Sequence, residues 1–226
     1  MIVSHSHKFI FIKSTKTAGT SIEAALSQHC SGDDVVTELG DYRHNRDDNG
    51  NWVHRAMNSS GFEQEEPALS VRSKLGPEVW STYFKFSITR NPWDRAVSSF
   101  SWHNRRAVKP KEGLMGKLGL SRNEMEATRA AFAEFVRNGL KTNDRFYVID
   151  DELCVDYVIR YEDLQEGYDE VCRRIGVPRT ELPRLKSGIR DAARHYSAYF
   201  DDETRELVRR RHAHDLRLFG YAFEER

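Results

Sequence analysis

No stretch of this 226-residue chain stays apolar for long enough to cross a bilayer, and its amino terminus lacks the apolar core of a signal peptide. Cysteine is scarce. Cys30, Cys154 and Cys172 are odd in number and carry no metal-ligand spacing, which argues against a disulfide framework and points to reduced thiols in a cytoplasmic setting. Net charge is missing as well: 35 basic residues face 35 acidic ones, so no overall field favours nucleic acid or an anionic membrane. Any basic site must therefore be local. Neither an internal repeat nor a low-complexity linker breaks the chain, and its length fits one domain, residues 1–226, around a single core.

What is present is concentrated in two segments. In the first, the apolar run Phe9-Ile10-Phe11-Ile12 feeds Lys13-Ser14-Thr15-Lys16-Thr17-Ala18-Gly19-Thr20-Ser21, a small-residue turn with lysine and hydroxyls. Short, β-branched and aromatic, residues 8–13 predict a buried parallel strand, and residues 20–29 a helix opening on hydroxyl residues. The unpaired amides and dipole of such a helix start make an anion site. Gly19 permits close backbone approach, Lys16 adds a point charge, and Thr17, Thr20 and Ser21 offer hydroxyl donors. An ordinary strand-to-helix turn with a solvated lysine is the plainer reading. A Walker A loop is excluded, because Lys16-Thr17 precedes the only glycine of the turn.

In the second segment, Phe84-Lys85-Phe86-Ser87-Ile88-Thr89 reads as a strand, followed by Arg90-Asn91 and a helix opening at Pro92. An arginine at a strand end presents a planar fork of donors to a phosphate, and Ser98 can share the same oxygens. An Arg90–Asp94 ion pair that only fixes the turn is the alternative. Both segments read as strand, anion-binding turn, helix, and together they suggest one ligand with phosphate-like groups at two separated points.

The remaining pattern adds helices over residues 68–75, 92–105, 123–139, 164–175 and 201–213, with strands over 146–149 and 155–159 joined through a hairpin around Asp150. Alternating strands and helices predict an α/β fold, a three-layer α/β/α arrangement with a central parallel sheet and ligands at the carboxyl ends of the strands. Residues 31–67 are long, polar and irregular, and lie between the two anion turns, which suits the acceptor side of a cleft. Residues 106–121 read either as a mobile flap or as a solvated loop.

These residues resemble the sulfotransferase family, in particular its carbohydrate and bacterial branch. Lys16-Thr17-Ala18-Gly19-Thr20-Ser21 is similar to that family's loop for the 5′-phosphosulfate of 3′-phosphoadenosine 5′-phosphosulfate (PAPS). Arg90-Asn91-Pro92-Trp93-Asp94-Arg95 through Ser98 is similar to its 3′-phosphate segment, in which the arginine and serine make the contacts. Val158-Ile159-Arg160-Tyr161-Glu162-Asp163-Leu164 and the tail from Tyr199 to Tyr221 resemble later blocks of the same family. The resemblance implies a P-loop-like sulfotransferase fold and transfer of a sulfuryl group from PAPS to a hydroxyl of a carbohydrate, lipid or small molecule. Adenosine 3′,5′-bisphosphate would be the product, and no metal would be required. It also places His195 near the donor's 3′-phosphate, where Arg190 and Arg194 could add charge; a surface helix with snorkelling arginines is the alternative. Golgi members of the family carry a membrane anchor that this chain does not show, so a soluble bacterial enzyme without stable membrane insertion is expected.

The resemblance puts the catalytic base, a histidine or a glutamate, between the two phosphate segments, where His44, His54, Glu65 and Glu66 stand. His54 is flanked by Trp52 and Val53, which could partly bury it, and a histidine side chain makes an effective base near neutral pH with little tuning. Glu65 lies where many relatives carry their histidine, just before Pro67-Ala68, and is its rival. Two other functions remain open: a small-molecule kinase using the Lys16 turn for ATP with Asp150 on magnesium, and a nucleotide-binding module without turnover. Trp52, Trp93 and Trp102 could stack on an acceptor ring or simply anchor a core.

Overall fold

The computed structural model describes residues 1–38, 55–104, 122–183, 185 and 194–225. They fall into two compact units, Met1–Arg90 with Asn143–Lys186, and Asn91–Thr142 with Ser187–Arg226.

The first unit is built on a five-stranded sheet. Its strands are β1 (Ile2–Ser4), β2 (Phe9–Phe11), β3 (Val35–Val36), β4 (Phe84–Thr89) and, after a separate hairpin of β5 (Val148–Ile149) and β6 (Glu152–Leu153), β7 (Tyr157–Arg160). The order across the sheet is β3-β1-β2-β4-β7. β2 pairs parallel with β4, Phe9 opposite Phe84 and Phe11 opposite Phe86, and β4 pairs parallel with β7, Ser87 opposite Val158. β1 runs antiparallel to both β2 and β3. The expected parallel sheet is thus the β2-β4-β7 side of this sheet, and the β3-β1 side departs from it. Those two strands, three and two residues long, are too short to show a period in sequence.

Alternation on β2 and β4 explains the burial. Phe9, Phe11, Phe86, Ile88 and Ile159 form one cluster with Ile22 and Leu26 of α1 (Gly19–Ser27) and with Tyr168, Val171, Cys172 and Ile175 of α5 (Leu164–Ile175). The Phe11 and Phe86 rings stack with centroids 4.9 Å apart. Residues of opposite parity, Ile10 and Ile12, are equally inaccessible, so β2 is covered on both faces, as a parallel strand must be. Each such side chain contributes roughly 1.5–3 kcal/mol through burial. α2 (Ala68–Thr82) is broken at Gly76, whose φ of 76° and ψ of 170° leave the helix immediately before Pro77. Proline clashes with a helical residue before it, which is why the helical signal ends near residue 75.

The second unit is helical: α3 (Pro92–His103), α4 (Arg122–Asn138), a short 3₁₀ turn (Tyr196–Tyr199), α6 (Asp202–Arg211) and α7 (Ala213–Phe219). Trp93, Val97, Phe100, Phe132, Val136, Tyr196, Tyr199 and Val208 form its core. Asn91 caps α3, its side chain accepting from the amides of Trp93 and Asp94, and Asp201 and Thr204 close a capping box on α6. Buried Arg95 donates to the Lys141 carbonyl at 2.5 Å and lies 3.3 Å from His212 Nε2, while His212 Nδ1 is 2.8 Å from Asp215. An arginine can only donate, so His212 accepts through Nε2 and carries its proton on Nδ1, toward the carboxylate.

At Gly167 of α5 the helix lies close against β7: a Cβ there would come within 2.5 Å of Ile159 Cγ2. Gly167→Ala should cost about 1–3 kcal/mol through overpacking. A drop in melting temperature of roughly 2–4 °C per kcal/mol checks this, and an unchanged melting temperature contradicts it.

Candidate functional site

Because β2, β4 and β7 are parallel, the segments that follow them emerge at the same edge of the sheet. The ladder continues past β2: the Ile12 amide donates to Phe86 O at 3.0 Å, and Ser87 Oγ donates to Ile12 O at 2.7 Å. Ser14 Oγ then donates to Ile88 O at 2.5 Å and lies 2.8 Å from Thr17 Oγ1. The hydroxyls of Ser14 and Thr17 are thereby spent on shaping the turn.

Within the turn, Lys16 and Ala18 both adopt left-handed backbone, with φ of 64° and 62°. Non-glycine residues in that region cost about 1–3 kcal/mol each and persist where surroundings enforce them. Alternation of left-handed with ordinary residues turns successive amides toward one side, a concavity suited to an anion. α1 opens directly after Ala18, adding its first-turn amides, while the Ser21 amide returns to Ala18 O at 2.9 Å. The side chains of Thr20 and Ser21 are largely buried, and Ser21 Oγ accepts from the Leu185 amide at 3.4 Å.

Three side chains from distant parts of the same unit reach the turn. Arg90 Nη1 donates to Lys16 O at 3.0 Å, and its guanidinium stacks 3.9 Å from the centre of the Tyr161 ring. Asn143 Nδ2 donates to Thr15 O at 2.8 Å. Thr15 Oγ1 donates to Glu65 Oε2 at 3.2 Å. Among the described residues, Thr89 Oγ1, immediately before Arg90, is buried with no hydrogen-bond partner. An orphaned hydroxyl costs about 1–3 kcal/mol, and here it stands at the carboxyl end of β4, the middle of the three parallel strands.

Beneath the turn lies a buried ion pair that the sequence reading missed. Lys13 Nζ donates to Glu23 Oε2 at 2.6 Å, with both side chains nearly inaccessible, and the α-ammonium of Met1 lies 2.5 Å from Oε1. A Cβ on Gly19 would come within 2.7 Å of Lys13 Cγ, so glycine is needed there for the helix to sit on the lysine stem. Burial works to raise the Glu23 carboxyl, but the two ammonium groups overcome it and bring it down to about 2. A lysine ending the apolar run and an acid inside Ile22-Glu23-Ala24 were the available signals.

The two candidate acids are separated by their partners. Glu66 accepts from the Glu63 amide at 3.0 Å and from Ser70 Oγ at 2.5 Å, and pairs with Lys74. Burial opposes its ionisation, yet these donors hold it below its ordinary value, so Glu66 belongs to the start of α2. Glu65 alone reaches the turn. His44, His54, Trp52, Arg190 and residues 106–121 lie outside the described residues. Ser98, Arg194 and His195 belong to the second unit. Ser98 is half-buried on α3, and Arg194 Nη1 lies 2.6 Å from Met125 Sδ. His195 stands at the start of the 3₁₀ turn, its Nδ1 accepting from the Ser197 amide at 3.4 Å.

The kinase reading loses its metal ligand. Asp150 and Asp151, with φ of 53° and 63°, form the exposed two-residue turn of the β5–β6 hairpin rather than the end of a strand in the main sheet.

A model of the sulfotransferase family matches residues 1–222. The chain belongs to the sulfotransferase family. Sulfuryl transfer is therefore its class of activity. Among curated proteins, this sulfotransferase is similar to carbohydrate sulfotransferase 10 of Mus musculus, with 26% identity over 255 residues that take in 98% of the chain and 66% of the mouse protein. It is also 26% identical over 131 residues to an uncharacterized protein of Archaeoglobus fulgidus, covering 55% of the chain and 94% of that protein. A crystal structure of a sulfotransferase from Alicyclobacillus acidocaldarius superposes with a TM-score of 0.40 at 16% identity, covering 96% of both chains. No helix among the described residues is long and apolar enough to cross a membrane.

The buried pair beneath the turn yields a pH signature. Glu23→Gln should cost about 3–5 kcal/mol at neutral pH, because Lys13 is left buried without its counter-charge. The folded-state carboxyl titrates near 2, below its ordinary 4.5, so the pair's contribution is complete above 4.5 and fades as pH falls toward 2. Urea unfolding across that range should show the two proteins converging in acid. A gap that is independent of pH contradicts the assignment.

Proposed function

We propose that this chain is a single sulfotransferase domain that moves the sulfuryl group of PAPS to a hydroxyl of a carbohydrate, lipid or small-molecule acceptor. The observation that carries the reading is the turn at residues 14–18, whose carbonyls at Thr15 and Lys16 are drawn aside by Asn143 and Arg90. That leaves a left-handed backbone, a lysine and a helix start for the donor's 5′-phosphosulfate. Arg90 takes the 3′-phosphate in this reading, and the unpartnered Thr89 hydroxyl lies one residue away for a further ligand contact. Ser98, Arg194 and His195 sit in the second unit, and a donor-binding role for them rests on the resemblance. The carbohydrate in the mouse relative's name supports a sugar acceptor.

In the transfer, the acceptor oxygen attacks sulfur as the bond between sulfur and the bridging phosphate oxygen breaks, and the acceptor proton passes to a base. Charge grows on the leaving phosphate, where Lys16 and the turn amides stabilise it, so a metal ion is not needed for that role. Glu65 is the base the described residues offer. Its Oε2 already accepts from Thr15 Oγ1 at 3.2 Å, one residue from Lys16. His54 is the alternative.

Calorimetric titration tests the donor directly. Adenosine 3′,5′-bisphosphate should bind without magnesium and more tightly than magnesium-ATP, and the opposite preference overturns the reading. Lys16→Ala should lower turnover by roughly two or more powers of ten. Glu65→Gln should lower it by about two to four powers of ten with bisphosphate affinity nearly unchanged. Normal turnover in the Glu65 variant moves the proton-accepting role to His54.

A further inference from the structure

We propose that Asn143 is a positioning residue for the donor-binding turn, a role that rests on the turn's assignment to the donor's 5′-phosphosulfate. Asn143 is 2% exposed and immediately precedes the 3₁₀ turn Asp144–Phe146. At such a position an asparagine side chain ordinarily accepts from an amide two or three residues on. Here it makes no capping bond. The Phe146 amide is met by the Asn143 backbone carbonyl at 3.0 Å instead. The side-chain amide is sent 128 residues back along the chain to Thr15 O.

That single bond controls the direction of a neighbouring donor. In a trans peptide the carbonyl and the following amide point opposite ways, so fixing Thr15 O on the Asn143 side turns the Lys16 amide to the other side. Arg90 does the same one peptide on, holding Lys16 O and turning the Thr17 amide. The left-handed conformation of Lys16 is the cost of this orientation, and the Asn143 bond offsets it. Without the bond, the Thr15–Lys16 peptide is free to rotate, exchanging an amide for a carbonyl oxygen on the anion's side. Arg90 carries charge and is also assigned to the 3′-phosphate. Asn143 is neutral and bonds the backbone of the turn, so its effect is confined to the 5′ end of the donor.

The test compares two ligands that differ only by the 5′-phosphate. Adenosine 3′,5′-bisphosphate and adenosine 3′-monophosphate are titrated against the wild type, Asn143→Asp and Asn143→Ala. The ratio of the two dissociation constants measures what the 5′-phosphate contributes. Aspartate keeps the shape but sets an oxygen against the Thr15 carbonyl, and alanine removes the side-chain amide. In both variants the ratio should fall by about tenfold, the worth of one well-made hydrogen bond. Binding of the 3′-monophosphate should persist within about twofold, which also shows that the variant is folded. An unchanged ratio, whether both ligands bind normally or both weaken alike, overturns the proposal. If the wild type itself gains nothing from the 5′-phosphate, the turn is not the 5′-phosphosulfate site and the proposal falls with that reading. If the wild type gains and the variants gain equally, the reading stands and Asn143 is removed from it.

Discussion

The parallel pairing of β2 with β4 is the constraint on which the site depends. The ladder does not stop where the strands do. It runs on through the Ile12 amide to Phe86 O and ends in Ser14 Oγ to Ile88 O. Those bonds fix the turn after β2 against the residues that follow β4, so Lys16 and Arg90, 74 residues apart, share one hydrogen bond. The stacked Phe11 and Phe86 rings and the helices packed on them hold that register from one face. A slip by one residue would send Phe9 and Phe11 to the opposite face and separate the turn from the arginine.

Charge around the turn is arranged in two levels. Below, Lys13 and Glu23 neutralise each other in a dry environment and serve as a floor for Gly19. Above, Lys16 is half-buried at the turn, with Glu65 one residue away. The two lysines are three residues apart in sequence and have opposite uses. Lys13 is tied to a carboxylate within the protein, whereas the proposed function gives Lys16 the charge that develops on a leaving phosphate. The chain as a whole has no net charge, so the proposed anion site depends on this local sorting.

The legible part of the fold was the part with strong local signals. Phe84–Thr89 and Leu164–Ile175 match their expected bounds, and Pro92 opens α3 as its fixed φ requires. Left unread were elements whose stability is wholly tertiary: the short antiparallel edge of β1 and β3, and the 3₁₀ turn that replaced the start of the expected strand at 146–149. The site shows the same division. Lys16, Gly19 and Arg90 announce themselves by residue type next to a strand end. Lys13, Glu23 and Asn143 do not, because their roles depend on partners 10 to 128 residues away that only the folded chain brings together.

The proposed function requires one nucleotide to lie across the Lys16 turn and Arg90. A crystal structure of the complex with adenosine 3′,5′-bisphosphate tests it most directly. The expected result is 5′-phosphate oxygens about 3 Å from Lys16 Nζ and from backbone amides between Lys16 and Thr20, with the 3′-phosphate on the Arg90 guanidinium. A nucleotide bound elsewhere, or bound with its 5′-phosphate away from these amides, would contradict it.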